Sequence, residues 1–416
     1  MVGTSLDAAE VERRLSRLSA VDERVAAVYP GAGAARQPVH TCYVPAGDVR
    51  ADTLREWARQ ASAVFAEHVA DAAALAEIVG LDPAIATAVH PRVAAKLADA
   101  PVEDLRIDFE DGYGRSGDDV EDADAERTAG VVADWAAAGT LPLGVGLRVK
   151  SFDGPESRTR SVRTLDAFLT ALLRRGPLPD GFVVTFPKVV DVAQVEVFVE
   201  VLGLLEQRLG LPDGALRFEI QVETTQSIVD SDGRFALPRF LRAGAGRVSG
   251  LHFGTYDYTA ACGLTAAHQH LAHPACDFAR HAMQVAAAGT GVFLSDGSTN
   301  VLPVGDQVRH GLRTHWELVR RSLSNGYYQG WDLHPGQLIT RYAAVFAAFR
   351  ETAPAEARRL SDYVSASGGA VLDEPATARA LAASFVRALD NGGIDAAEVQ
   401  ELTGTTEQKI RELGRL

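Results

Sequence analysis

Residues 218–225 read FEIQVETT and residues 251–257 read LHFGTYD. Each is a short apolar-rich run ending in a carboxylate, Glu223 at the tip of the first and Asp257 just past the second. An acidic side chain delivered by the end of a buried strand is badly placed for solubility and well placed for holding a divalent cation. With their flanks these stretches become LRFEIQVE (216–223) and VSGLHFG (248–254), and similar runs occur along the chain. They are HTCYV (40–44), LRIDFE (105–110), GVGLRVK (144–150), FVVTFPK (182–188), GVFLSDG (291–297) and GWDLHP (330–335), which makes eight.

Helix-patterned segments lie between them, among them TLREWARQASAVFAEHV (53–69), TLDAFLTALLRR (164–175) and AQVEVFVEVLGLLEQRL (193–209). Short apolar strands joined by helical crossovers predict a parallel sheet buried on both faces. Eight such units is the count for an α/β fold of the (β/α)8 TIM-barrel type, with a doubly wound open sheet as the competing architecture. The barrel is expected over 39–345. Ahead of it, 1–38 holds a short helix, DAAEVERRLSRL with Asp7 as its N-cap, and a Gly/Ala-rich loop. Behind it, 346–416 forms a helical C-terminal extension broken at SGGAVLDEP (367–375), with a further helix at 376–389.

A net charge of -14 argues against nucleic acid or an anionic membrane as the main partner. It leaves room for a small anionic substrate held by a local cluster of Arg, Lys and metal. Three cysteines form no disulfide framework. The segment MVGTSLDAAEVERRL has no basic or apolar leader pattern, and no run approaches the roughly 18 apolar residues of a membrane span. A soluble, cytoplasmic protein is expected.

In a parallel barrel the C-terminal strand ends share one rim. Those ends offer Pro45, Glu110 and Asp111, Arg148 and Lys150, Lys188, Glu223, Asp257, Asp296 and His334. Carboxylates and cations on one rim suit a metal and an anion together, and hard oxygen ligands favour Mg2+ or Mn2+. The plainer alternative is that charged residues cap strand ends where the chain meets solvent. HQHLAHPAC (268–276) brings His268, His270, His273 and Cys276 together, but no second ligand pair completes a zinc site, so a polar loop and helix start is the simpler reading. RAGAGRVSG (242–250) precedes a strand instead of following one, the wrong context for a dinucleotide fingerprint.

Taken in order, these segments resemble the citrate lyase β-subunit-like branch of the HpcH/HpaI aldolase and malyl-CoA lyase superfamily. IDFEDGYG (107–114) is similar to its D-x-E-D segment, LRVK (147–150) to V-R-V-N and FPKV (186–189) to L-P-K-V. QVETT (221–225) resembles I-E-T, HFGTYDYT (252–259) resembles F-G-x-x-D-L, and DLHPGQ (332–337) resembles I-H-P-x-Q. Lys150 stands where the family has Asn, and the opening strand matches only in YVP.

The resemblance implies a Mg2+-dependent carbon–carbon lyase or aldolase acting on a 2-oxo or hydroxy acid or its CoA thioester. Glu223 and Asp257 would be the metal ligands, and Arg148 would bind a substrate carboxylate or carbonyl oxygen. Glu110 and Asp111 would lie in an outer shell, on metal waters or against Arg148. Lys188 would either add positive charge to the site or pair with Glu110 or Asp111. His334 would polarise a substrate oxygen or cap the final loop. Cleavage leaves an enolate, whose charge the metal and Arg148 would stabilise. Schiff-base chemistry at Lys188 or Lys150 is the rival route. By the same resemblance, an aspartate in a neighbouring subunit's C-terminal segment would serve as base, which nominates Asp373 and a homo-oligomer. Other readings are a phosphoenolpyruvate- or pyruvate-handling enzyme of the same barrel superfamily, or a non-catalytic paralogue.

Overall fold

The computed structural model describes residues 5–31, 33, 35–114, 116–364 and 375–415. Eight strands form where the eight runs lie. They are β1 (Thr41–Pro45), β2 (Asp104–Asp108), β3 (Gly144–Arg148), β4 (Phe182–Phe186), β5 (Arg217–Val222), β6 (Val248–Phe253), β7 (Phe293–Ser295) and β8 (Trp331–Asp332). All pairings are parallel, and the strand order β7-β6-β5-β4-β3-β2-β1-β8 follows the chain with β8 returning beside β1. Between β7 and β8, Ser295 bridges in parallel to Gln329, and the Asp296 N–H donates to the Gln329 carbonyl at 2.8 Å. The sheet is therefore a nearly closed (β/α)8 barrel, and the open doubly wound alternative falls.

Helices cover the outside, including Thr53–His68, Pro155–Leu173, Val192–Leu209 and Val308–Ser324. Most outward strand residues are apolar and fill the gap beneath them: Phe186 of β4 and Phe218 of β5 pack against Phe198 of helix Val192–Leu209, with ring centroids 4.3–6.5 Å apart. Helix Gln337–Val364 follows β8, runs unbroken through position 345 and packs against the C-terminal helices. Those helices, Pro375–Asn391, Ala396–Thr403 and Glu407–Arg415, bury Phe385, Val399 and Ile410. At the other end Asp7 caps helix Ala8–Leu15, accepting from the Glu10 N–H. No single helix among the described residues is long and apolar enough to cross a membrane.

The barrel interior departs from the expectation of strands apolar on both faces. Arg106 lies inside it, 2% exposed, donating to Glu219 at 3.0 and 2.9 Å and to Asp104, with Thr185 at 3.2 Å. His252 Nε2 sits 2.9 Å from Glu219. Strand period explains this: in FEIQVE the odd positions Glu219, Gln221 and Glu223 alternate with outward Phe218, Ile220 and Val222. A buried arginine this deep needs complete pairing, because an unpaired buried charge costs about 3–5 kcal/mol.

Small residues make room for the network. A Cβ on Gly144 would sit 2.3 Å from Asp104 Oδ1, and one on Gly146 would sit 1.7 Å from the Val183 carbonyl oxygen. The second contact is backbone and cannot rotate away. Gly146→Ala is expected to destabilise the protein by about 3 kcal/mol or more, through a forced separation of β3 and β4. Urea unfolding measures this directly, and an unchanged midpoint would refute the close approach.

Candidate active site at the C-terminal rim of the barrel

Arg148 ends β3 and Asp108 ends β2, and the two are register partners across the sheet. Their side chains form a two-pronged pair, Nε to Oδ1 at 2.7 Å and Nη2 to Oδ2 at 2.6 Å. Asp108 also accepts the N–H groups of Glu110 at 3.0 Å and Gly112 at 2.9 Å, so one carboxylate shapes the following turn and aims the guanidinium. The third arm, Nη1, is left facing Glu110 Oε2 at 3.5 Å and Gln221 Oε1 at 3.4 Å. The Tyr43 and Trp331 rings, packed on each other with centroids 4.3 Å apart, lie together on one side of the guanidinium at 4.9 and 5.8 Å. Burial opposes the Arg148 charge, but Asp108 and Glu110 outweigh it and hold the pKa above the ordinary value.

Lys188 follows β4 with φ +52°, a left-handed backbone that side chains rarely adopt. That turn presents its N–H to Glu223 Oε1 at 2.9 Å. Its ammonium meets Glu110 and Asp111, the latter at 2.8 and 2.9 Å, and lies 3.5 Å from Asp257. Of the two roles open to Lys188, pairing is the one the geometry has. Burial would lower its pKa, yet Glu110, Glu223 and Asp111 hold it above the usual lysine range. An amine kept as an ammonium is the wrong form for a Schiff-base nucleophile. Lys150 is occupied too, by the Phe109 carbonyl at 2.8 Å and Glu121 at 3.2 Å.

Glu223, one residue past β5, is 2% exposed. Its donors are the Lys188 N–H and the Gln221 side-chain amide. Gly254 lies against it, where a Cβ would come within 2.6 Å of Oε2. Burial pushes the Glu223 carboxyl well above its usual pKa, and Glu110 and Asp257 push it further. Asp257, in the first turn of helix Thr255–Ala261, is about half exposed.

The residues present fit a hard divalent cation. Among the described residues no three His, Cys, Asp or Glu side chains form a closed ligand set. Mg2+ commonly takes only one or two protein carboxylates, with waters and substrate oxygens completing its shell. A buried carboxylate with only amide donors, beside a rim where three carboxylates share one ammonium, has charge left for a cation to neutralise.

Other rim residues take different places. Asp296 turns away from the rim into the helix layer, pairing with Arg280 at 2.9 Å and accepting from Ser322 at 2.5 Å, because helices Pro274–Ala287 and Val308–Ser324 bring those partners together there. It is removed from the rim set. His334 Nδ1 accepts the Gly336 N–H at 3.0 Å, a loop-capping contact, and burial lowers its pKa. His273 caps helix Pro274–Ala287. Asp373 lies outside the described residues. Asp108, Gln221, Tyr43 and Trp331 escape a reading of strand ends alone. The signal for Asp108 was available: it is the inward neighbour of Arg148 once β2 and β3 are set in parallel register.

Burial raises Glu110 from 4.5 to about 7 despite Arg148 and Lys188. A carboxyl raised on folding stabilises the native state most below its unfolded pKa, and loses that contribution as pH climbs to its folded value. The contribution lost between pH 4.5 and 7 is of the order of 3 kcal/mol. Metal-free wild type is therefore expected to lose more unfolding free energy across that window than Glu110→Gln does. Denaturant titrations at each pH check this, and parallel profiles would refute it.

Residues 18–416 match the model of a family described as a domain of unknown function, DUF6986. Comparison with curated proteins returned no match. Among solved structures, Haloferax volcanii malate synthase in a magnesium/glyoxylate complex is similar at 18% identity and a TM-score of 0.49, over 91% of this chain and 97% of that one. CitE from Mycobacterium tuberculosis, in complex with magnesium, acetoacetate and coenzyme A, is similar at 17% identity and a TM-score of 0.47, over 86% and 99%. A HpcH/HpaI aldolase/citrate lyase family protein from Burkholderia cenocepacia is similar at 17% identity and a TM-score of 0.37, over 63% and 89%. With nearly its whole length matched by that family model, the chain belongs to the DUF6986 family.

Proposed function

We propose that this protein is a Mg2+-dependent carbon–carbon lyase or aldolase, acting on a small 2-oxo or hydroxy acid or its CoA thioester. The observation that carries the proposal is the buried Glu223 carboxylate, set beside Asp257 and opposite the Arg148 fork on one barrel rim. Glu223 and Asp257 would hold the ion, with Mn2+ as the nearest substitute. When bound, the ion supplies Lewis acidity to a substrate oxygen.

The chain's own residues supply the rest. Asp108 fixes the guanidinium plane, so that Nη1 donates toward charge developing on a substrate oxygen without reorganising. Tyr43 and Trp331 shield the guanidinium from water on the side where they pack. Lys188 gathers Glu110, Asp111 and Asp257, limiting the repulsion that four neighbouring carboxylates would otherwise bring against an anionic substrate. Free buried thiols at Cys42 and Cys276 fit a reducing compartment such as the cytoplasm.

The test is a panel of hydroxy acids and their CoA esters, with release of pyruvate, glyoxylate or acetyl-CoA followed with and without Mg2+. Turnover that requires the cation supports the proposal. Calorimetry that finds no Mg2+ binding would remove it.

A further inference from the structure

Residues 8–28 form a helical arm of three pieces: helix Ala8–Leu15, a 3-10 turn Ser16–Leu18, and helix Ser19–Val28. No residue of these pieces is buried. The arm is tied to the barrel at its far end, where Tyr29 lies against Gly289 and the Gly31 N–H donates to the Gly289 carbonyl at 2.9 Å. Isolated helices shorter than roughly 12–15 residues are marginal in water. Two helices of 8 and 10 residues with no buried face need a covering surface.

The arm carries one apolar stripe. Val11, Leu15, Leu18, Val21, Val25 and Val28 follow one another at steps of 4, 3, 3, 4 and 3. Leu15 is 58% exposed and Leu18 51%. A 4-3 alternation is the spacing of a helix–helix seam, and a repeated 3 is a local overwinding of that seam. The repeated 3 runs from Leu15 to Leu18 to Val21, and the 3-10 turn at Ser16–Leu18, with about three residues per turn, overwinds the backbone there. The backbone irregularity thus keeps Val21 with the stripe where an uninterrupted helix would bring Asp22 further in.

Charge says what covers the stripe. Placed at 3.6 residues per turn, Glu12 and Asp22 flank it on one side, and Arg14, Arg17 and Arg24 flank it on the other. Glu10, on the basic side, is already ion-paired to Arg14. A parallel two-fold pairing of identical arms sets the acidic flank of each against the basic flank of the other. An antiparallel two-fold sets like against like. We propose that the arm is a dimerisation element, pairing in parallel along the Val11–Val28 stripe with the same arm of a second copy of this chain.

Sedimentation velocity on the full chain, across a concentration series, reads the dimer. Leu15→Glu with Leu18→Glu is expected to raise the dimer dissociation constant about 100-fold or more, with the barrel's thermal unfolding unchanged because neither residue is buried. Arg14→Glu/Arg17→Glu/Arg24→Glu makes both flanks acidic, and Glu12→Arg/Asp22→Arg makes both basic. Each variant alone is expected to dissociate, and their equimolar mixture to recover the dimer. In a Cys262→Ser background, Val11→Cys is expected to cross-link to itself on mild oxidation, since parallel arms place the two positions together. A monomeric wild type, an oligomer that survives the paired leucine substitutions, or a charge-reversed mixture that stays monomeric would each overturn the proposal.

Discussion

Glu223→Gln is expected to abolish Mg2+ binding in calorimetric titration and to lower any Mg2+-dependent turnover by about a thousand-fold. Loss of a Lewis-acid contribution of about 4 kcal/mol corresponds to that factor. The substitution keeps the side chain's size and removes its charge. In the metal-free protein that charge is poorly supported, because burial, Glu110 and Asp257 all push the Glu223 carboxyl toward protonation. Folding stability from such a raised carboxyl is present at low pH and lost as pH rises through the folded pKa. At alkaline pH metal-free Glu223→Gln is therefore expected to unfold at the same temperature as wild type or higher. Wild type alone should then gain about 2.7 kcal/mol from Mg2+ at a hundred times its dissociation constant. Intact Mg2+ binding in Glu223→Gln would show that the ligand set is wrong.

Arg148→Lys is expected to reduce kcat/KM by about 100- to 1000-fold, the range for loss of one preorganised donor to developing oxygen charge. Lysine keeps the positive charge but cannot donate twice to Asp108 and still present a third arm to the rim. Asp108→Asn should cause part of the same loss, chiefly in kcat, because the guanidinium stays and only its aim changes. Removing Arg148 altogether leaves Asp108 buried beside Glu110, and Arg148→Ala should cost about 3–5 kcal/mol of stability as well. Steady-state kinetics with a parallel unfolding curve separate the effects. Wild-type turnover in Arg148→Lys would take the residue out of the site.

The eight strands were legible because each apolar-rich run is bounded by polar or turn residues, and each run meets a strand. Helix Thr53–His68 and the Asp7 cap were legible for the same local reason. Parallel order then placed Glu110, Arg148, Lys188, Glu223 and Asp257 near one rim. Asp296 shows where strand-end reasoning stops, since a residue at the correct end can still turn outward to a helix partner such as Arg280. Lys188 shows the same limit differently: its contact with Glu223 depends on a left-handed backbone that no local pattern announces.

Sequence by itself determined the strand count and the end at which the carboxylates gather, because side-chain period and crossover length are local properties of the chain. The choice of barrel over open sheet came from β8 returning beside β1. Tertiary structure alone decided which charge meets which. Arg106 reaches Glu219 across 113 positions, Lys188 reaches Glu110 across 78, and Arg148 takes Asp108 across 40. Such pairings depend on strand register and tilt, and a buried charge accepts only the partner that geometry brings within hydrogen-bond distance.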